Sequence, residues 1–170
     1  MTPLLDLLTE AERRQVLTAC TRRRFPKGDS LFHAGDPGDT LHLIQKGHVA
    51  IRLDTALGDN ATLAVLGPGS TFGEQALLVA DGRRTASAVA LDKVETLALH
   101  RNDFEELRQR NPRVDRLLVL ILAEQVRRLT AQVIDARHES VPTRVARVLR
   151  DQLTVWGQDG EGATGEIPLT

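Results

Sequence analysis

The feature that most constrains this chain is the spacing of its turn signals. Between residues 24 and 99, short apolar or alternating runs are cut off every few residues by glycine, proline and aspartate. The runs include Ser30-Leu31-Phe32, Thr40-Leu41-His42-Leu43-Ile44, His48-Val49-Ala50-Ile51-Arg52-Leu53, Ala61-Thr62-Leu63-Ala64-Val65-Leu66 and residues 85–91. Between them stand Pro26-Lys27-Gly28-Asp29, Gly35-Asp36-Pro37-Gly38-Asp39, Lys46-Gly47, Gly58-Asp59-Asn60, Gly67-Pro68-Gly69 and Asp81-Gly82. Breaks this close together leave no room for long helices, so the runs read as short strands joined by tight turns. Strands of this length and spacing predict a sandwich or barrel of antiparallel strands. With 170 residues, 41% of them hydrophobic, the chain is long enough for one such domain with a real core plus an appendage.

On either side of this block the period changes. Thr9-Glu10-Ala11-Glu12 has the spacing of a capping box and predicts a short helix to about Cys20. After a last strand at 96–100, Asn102-Asp103 are placed to cap a short helix through about Arg110. Asn111-Pro112 then supply a cap and a first-turn proline for a long helix reaching about Ser140. In that helix Val119, Leu122, Val126, Leu129, Val133 and Ala136 recur at alternating spacings of three and four, which is a heptad seam. Val114, Leu117, Leu118 and Ile121 lie on other faces of its first turns. Two apolar faces require two partners: the second set is assigned to the barrel and the seam to a second copy of the helix in a parallel homodimer. The alternative packs every position within one chain, but the second half of the helix keeps only the seam, a stripe too narrow for a sheet. Val141-Pro142 interrupts the pattern, residues 143–156 (Val145, Val148, Leu149, Leu153) predict another amphipathic helix, and 158–166 read as a linker before Ile167-Pro168-Leu169-Thr170.

The stretch Phe72-Gly73-Glu74-Gln75-Ala76-Leu77-Leu78, followed by Arg84-Thr85-Ala86, carries charges that strand formation does not need. One helical turn at 75–78 and a turn at Asp81-Gly82 would return Arg84 towards Glu74. A surface salt bridge is the plain explanation. The alternative is an anion cradle. Gly73 permits close backbone approach, the first amides of the helical turn (Gln75, Ala76 and Leu77) are unsatisfied donors, Thr85 adds a hydroxyl, and Arg84 offers a charged fork suited to phosphate. Glu74 would repel a phosphate and must serve a hydrogen-bond donor beside it, such as a sugar hydroxyl.

The Gly73-Glu74 and Arg84-Thr85-Ala86 pairings resemble the phosphate-binding cassette of cyclic-nucleotide-binding domains, and the upstream turns at Lys27-Gly28-Asp29, Gly35-Asp36-Pro37-Gly38-Asp39 and Lys46-Gly47 resemble the turns of the same fold. The long helix and the chain after it resemble the bacterial CRP/FNR transcription regulators. The resemblance implies a mostly β protein with helices: an antiparallel β-roll or jelly roll (double-stranded β-helix) with a short N-terminal helix and a long C-terminal dimerisation helix. The expected division is residues 1–110 as the cyclic-nucleotide-binding domain, 111–140 as the dimerisation helix and 141–157 as a helix leading towards a DNA-binding domain. Residues 158–170 are then a linker and the first residues of a truncated winged helix-turn-helix domain, and DNA is met only through that absent domain. By resemblance the effector is cAMP or cGMP, with Glu74 accepting the ribose 2′-hydroxyl, Arg84 pairing with the cyclic phosphate, and Gly73, Gln75, Ala76 and Thr85 completing the site. Arg128 is placed to reach Glu74 or the ligand. Where cAMP-responsive members offer the base a small hydroxyl pair, this chain has Gln132 and Val133. Gln132 is either a hydrogen-bonding partner for a purine edge or a surface residue flanking the seam, and the departure keeps open a same-fold regulator with a non-nucleotide effector or none.

The remaining features exclude more than they suggest. Five histidines (33, 42, 48, 100, 138) show no metal-ligand spacing, so no metal is expected, a metal-dependent cupin-like enzyme is disfavoured, and turn or barrel-surface positions are assigned to them. No enzymatic activity and no cofactor are expected. The single cysteine, Cys20, reads as a packed small residue and suits a reducing compartment, hence a cytoplasmic protein. Only 3% of residues are aromatic and none is tyrosine, which argues against a base-stacking surface. No run approaches the roughly 18 apolar residues of a membrane helix, so no membrane partner is expected. Arg22-Arg23-Arg24 and the helical arginines, interleaved with Glu124, Asp135, Glu139 and Asp151, read as solvated faces.

Overall fold

The computed structural model describes residues 9–54, 60–78, 82–111 and 114–138, together with Thr143, Ala146 and Leu149. Helix α1 (Glu10–Ala19) begins as its sequence specifies: the Thr9 amide donates to Glu12 Oε2 at 2.9 Å and the Glu12 amide to Thr9 Oγ1 at 3.4 Å. The strands follow as β1 (Thr21–Phe25), β2 (Ser30–Phe32), β3 (Thr40–Lys46), β4 (Val49–Asp54), β5 (Asn60–Leu66) and β6 (Thr71–Phe72). The single turn α2 (Gln75–Leu78) precedes β7 (Ser87–Ala90), β8 (Val94–His100), α3 (Arg101–Arg110) and α4 (Val114–His138). Among the described residues the strands form two four-stranded antiparallel sheets, ordered β1-β8-β3-β6 and β2-β7-β4-β5. The antiparallel β-roll is thus the observed architecture.

Strand β3 shows how the sheets are packed. Residues Thr40 to Ile44 are all buried, which happens when both faces of a strand are covered. Leu41 and Leu43 point into a core shared with Val16 of α1, Leu77 of α2, Phe104 and Leu107 of α3, and Val114, Leu118 and Ile121 of α4. Ile44 points the other way, into a second core between the sheets with Val49, Leu66, Phe72, Ala88, Ala90 and Val94.

Arg22-Arg23-Arg24 are exposed, as expected of a solvated face, and form the middle of edge strand β1, paired with β8, where Arg24 Nε lies 3.1 Å from Glu95 Oε1 and Arg22 reaches the same carboxylate at 4.0 Å. Charge on an exposed edge disfavours pairing with another chain. One local expectation is corrected: helix α3 is capped at His100 rather than at Asn102-Asp103 and has no side-chain cap; its Arg101 amide donates instead to the Asp39 carbonyl at 2.8 Å. Strand β8 runs straight into the helix, so a loop carbonyl takes the place of a capping side chain.

The chain divides into two compact units, Met1–Leu122 and Ala123–Thr170. In the first, Val114 (0% exposed), Leu118 and Ile121 are core residues, and Leu122, expected on the seam, packs partly against the same core. Val119 in the first unit is 62% exposed, and Val126, Leu129 and Val133 in the second are 49–62% exposed among the described residues. The side chains of Leu117 and Ala136, and the predicted helix at 143–156 apart from helical Thr143, Ala146 and Leu149, lie outside the described residues, as does the end of the chain.

Candidate ligand site

Strand β6 is followed by Gly73, whose φ of +78° belongs to the region glycine tolerates. Space imposes the same choice: a Cβ there would lie 2.6 Å from Arg84 Nη1 and 2.9 Å from the Thr40 carbonyl. Glu74 follows at 7% exposure. Helix α2 is then anchored by Leu77 in the helix-side core, while Gln75 and Leu78 are exposed. The Leu77 amide, expected to be free, donates to the Glu74 carbonyl at 3.0 Å, because a turn this short closes on its own first residue.

Val79, Ala80 and Asp81 lie outside the described residues. Beyond them a short ladder against the turn at 35–38 fixes the backbone of Arg84. The Gly38 amide donates to Gly82 O at 2.9 Å, the Arg84 amide to Asp36 O at 2.9 Å and the Gly35 amide to Arg84 O at 2.8 Å. The guanidinium then turns inward. Its Nη1 donates to the carbonyls of Thr40 (2.9 Å) and Gly73 (3.4 Å), its Cζ lies 4.1 Å from the centre of the Phe32 ring, and Nε is shielded from solvent with no hydrogen-bond partner among the described residues. Burial pulls the arginine's pKa down against the opposing fields of Asp39, Asp36 and Glu74, yet an arginine stays a cation. Among the described residues no ion pair joins Glu74 to Arg84, so the surface salt bridge does not describe this pair. What stands there is a half-buried cation braced by backbone and ring, beside a buried carboxylate.

The family profile described as the cyclic nucleotide-binding domain matches residues 22–111. The chain belongs to that family. It is 38% identical over 147 residues to the cyclic AMP receptor protein of Thermus thermophilus, covering 86% of this chain and 68% of that protein. It is 31% identical to the CRP-like cAMP-activated global transcriptional regulator of Mycobacterium tuberculosis, covering 82% of this chain and 62% of that one. The crystal structure of the Thermus thermophilus catabolite activator protein superposes with a TM-score of 0.70 at 39% identity, over 78% of this chain and 62% of that chain. The chain therefore spans about two thirds of the length of these relatives.

In this cyclic nucleotide-binding domain the remaining expected site residues are placed as follows. Thr85 is exposed next to Arg84, and the Ala76 side chain lies outside the described residues. Arg128 and Gln132 belong to α4 beyond Leu122, in the second unit; Arg128 is exposed, and the Gln132 side chain lies outside the described residues. Among the described residues no group of histidine, cysteine or acidic side chains is arranged to hold a metal ion, and no helix is long and apolar enough to cross a membrane.

Sequence reasoning missed the inner wall of the domain. His42, assigned to a turn or the barrel surface, is 6% exposed: its ring stacks on Phe72 at 5.2 Å, neighbours Phe32 at 6.1 Å, and its Nδ1 lies 3.2 Å from Thr96 Oγ1. Burial, with repulsion from Arg84 and Arg23, pushes its pKa down to about 3, so it is neutral near the guanidinium. His48 is buried as well, with Nδ1 2.7 Å from Asp92 Oδ2. The available signal was alternation: in β3, His42 falls between Leu41 and Leu43 and so shares the face of Ile44. Cys20 is partly buried and its thiol pKa is pushed up to about 11, mainly by burial, which keeps the sulfur protonated.

Proposed function

We propose that this chain senses a cyclic nucleotide, cAMP or cGMP, as the effector part of a CRP-like transcription regulator. The observation that carries this reading is the half-buried Arg84 guanidinium, braced through Nη1 by two backbone carbonyls, beside the buried carboxylate of Glu74. A phosphate would give this cation a charge-assisted partner, which the surrounding neutral carbonyls and ring do not. In this reading the cyclic phosphate pairs with Arg84, the Thr85 hydroxyl and the amides of Gln75 and Ala76 complete the cradle, and Glu74 accepts the ribose 2′-hydroxyl. The cAMP named in both relatives favours that nucleotide over cGMP.

The output follows from packing. Leu77 of α2 shares one core with Val114, Leu118 and Ile121, so a ligand that shifts the cassette alters the bed of α4. The exposed residues Val119, Val126, Leu129 and Val133 pair with a second copy, and ligand binding favours one arrangement of the pair, which a DNA-reading domain reports. The protein is then a cytoplasmic binding module, not an enzyme.

Calorimetric titration of cAMP and cGMP tests this directly. Arg84→Leu is expected to weaken binding by about thirtyfold or more, because the phosphate loses its charged partner; Glu74→Gln keeps an acceptor and should lose less, about five- to thirtyfold. Wild-type protein that binds neither nucleotide at millimolar concentration overturns the assignment.

A further inference from the structure

A long arginine side chain must be ordered before it can receive a ligand with full affinity, and ordering it carries an entropic cost. Here two residues outside the cassette lie against that side chain. Phe32, at the end of β2, presents its ring face to the guanidinium at 4.1 Å. That ring is itself held in the barrel interior by Phe72 at 5.9 Å and His42 at 6.1 Å. On another side stands Gly38. Its backbone φ is not positive, so its conformation does not call for glycine. Space does: a Cβ at Gly38 would lie 3.1, 3.2 and 3.3 Å from Nε, Cδ and Cζ of Arg84. The Nη1 bonds to the carbonyls of Thr40 and Gly73 complete the clamp.

We propose that Phe32 and Gly38 are positioning residues that form a slot holding the Arg84 guanidinium in its receiving orientation before the ligand arrives. The role rests on the assignment of Arg84 to the cyclic phosphate, while the slot itself is measurable without any nucleotide. Phe32→Leu removes the ring face and keeps an apolar side chain; Phe32→Tyr keeps the face; Gly38→Ala sets a methyl so close to the guanidinium that it must shift by a few tenths of an ångström.

The slot is tested first on the ligand-free full chain, by 15N relaxation of the Arg84 Nε–H, assigned through its loss in Arg84→Lys. An order parameter near backbone values in wild type, falling in Phe32→Leu and Gly38→Ala and restored in Phe32→Tyr, is expected. A mobile Nε–H in the wild type, or one unchanged in both variants, overturns the slot whether or not any nucleotide binds. The positioning role is tested by titrating cAMP. Phe32→Leu should weaken binding about tenfold in the wild-type background, with Phe32→Tyr within about twofold of wild type, and should have almost no further effect in Arg84→Lys. Equal losses in both backgrounds would mean that Phe32 acts through general packing, and overturn the proposal. Should Phe32→Leu fail to fold, Gly38→Ala carries the same cycle. Wild-type protein with an ordered Nε–H that binds no nucleotide defeats the phosphate assignment, and with it the positioning role, while the clamp stands.

Discussion

Replacing His42 by phenylalanine is expected to remove much of the fold's sensitivity to mild acid. The imidazole titrates near its ordinary 6.5 in the unfolded chain and at about 3 in the folded one, where burial first, then Arg84 and Arg23, disfavour its charge. Between those values the unfolded chain holds one proton more, so lowering the pH favours unfolding. The contribution is complete above the unfolded pKa and lost progressively down to the folded one. At about 1.36 kcal/mol per unit the whole span amounts to at most about 5 kcal/mol, and the step from about pH 7 to about pH 5 alone to about 2 kcal/mol. Asp39, whose pKa is held below 3.8 chiefly by the Thr40 hydroxyl, titrates beneath that window. Phenylalanine continues the stack on Phe72 but deprives Thr96 Oγ1 of its partner, a cost of about 1–3 kcal/mol that does not vary with pH. Urea unfolding of both proteins at pH 7, 6 and 5 should therefore show the wild type losing about 2 kcal/mol more than the variant across the series. Parallel losses in the two proteins would refute the argument, because the difference between them isolates this one group.

Two further perturbations test other parts of the molecule. Leu129 is 49% exposed on α4, so Leu129→Arg, which sets like charges against each other in a paired seam, should convert a dimer into monomers in sedimentation velocity; a monomeric wild type at tens of micromolar would defeat the pairing. Gly73→Ala combines a strained φ of +78° with a methyl 2.9 Å from the Thr40 carbonyl and should lower stability by about 1–3 kcal/mol or more; an unchanged melting temperature would contradict the close approach.

What the sequence determined by itself are the features carried by near neighbours. Thr9 and Glu12 are three residues apart and form their capping box within one turn, so the spacing was sufficient to place α1. The two apolar faces of the long helix were legible because helical period sorts them: Val114, Leu118 and Ile121 are buried while Val126, Leu129 and Val133 are exposed. The turn signals delimited the strands, and the spacing from Gly73-Glu74 to Arg84-Thr85 marked the candidate site. Other features existed only once the sheets closed. Strand β1 carries three arginines in a row, and it is a strand because β8 pairs with it, while Glu95, 71 residues from Arg24, offsets part of its charge. The carbonyl that braces Arg84 belongs to Thr40, 44 residues away, and the ring beneath it to Phe32. His42 is inward and neutral because Phe72, Phe32 and Thr96 converge on it from three other strands. Local spacing encodes contacts whose partners are fixed by one helical turn or one tight turn. The position of a guanidinium between a ring and a glycine depends on how strands distant in sequence come together, and that only the tertiary structure decided.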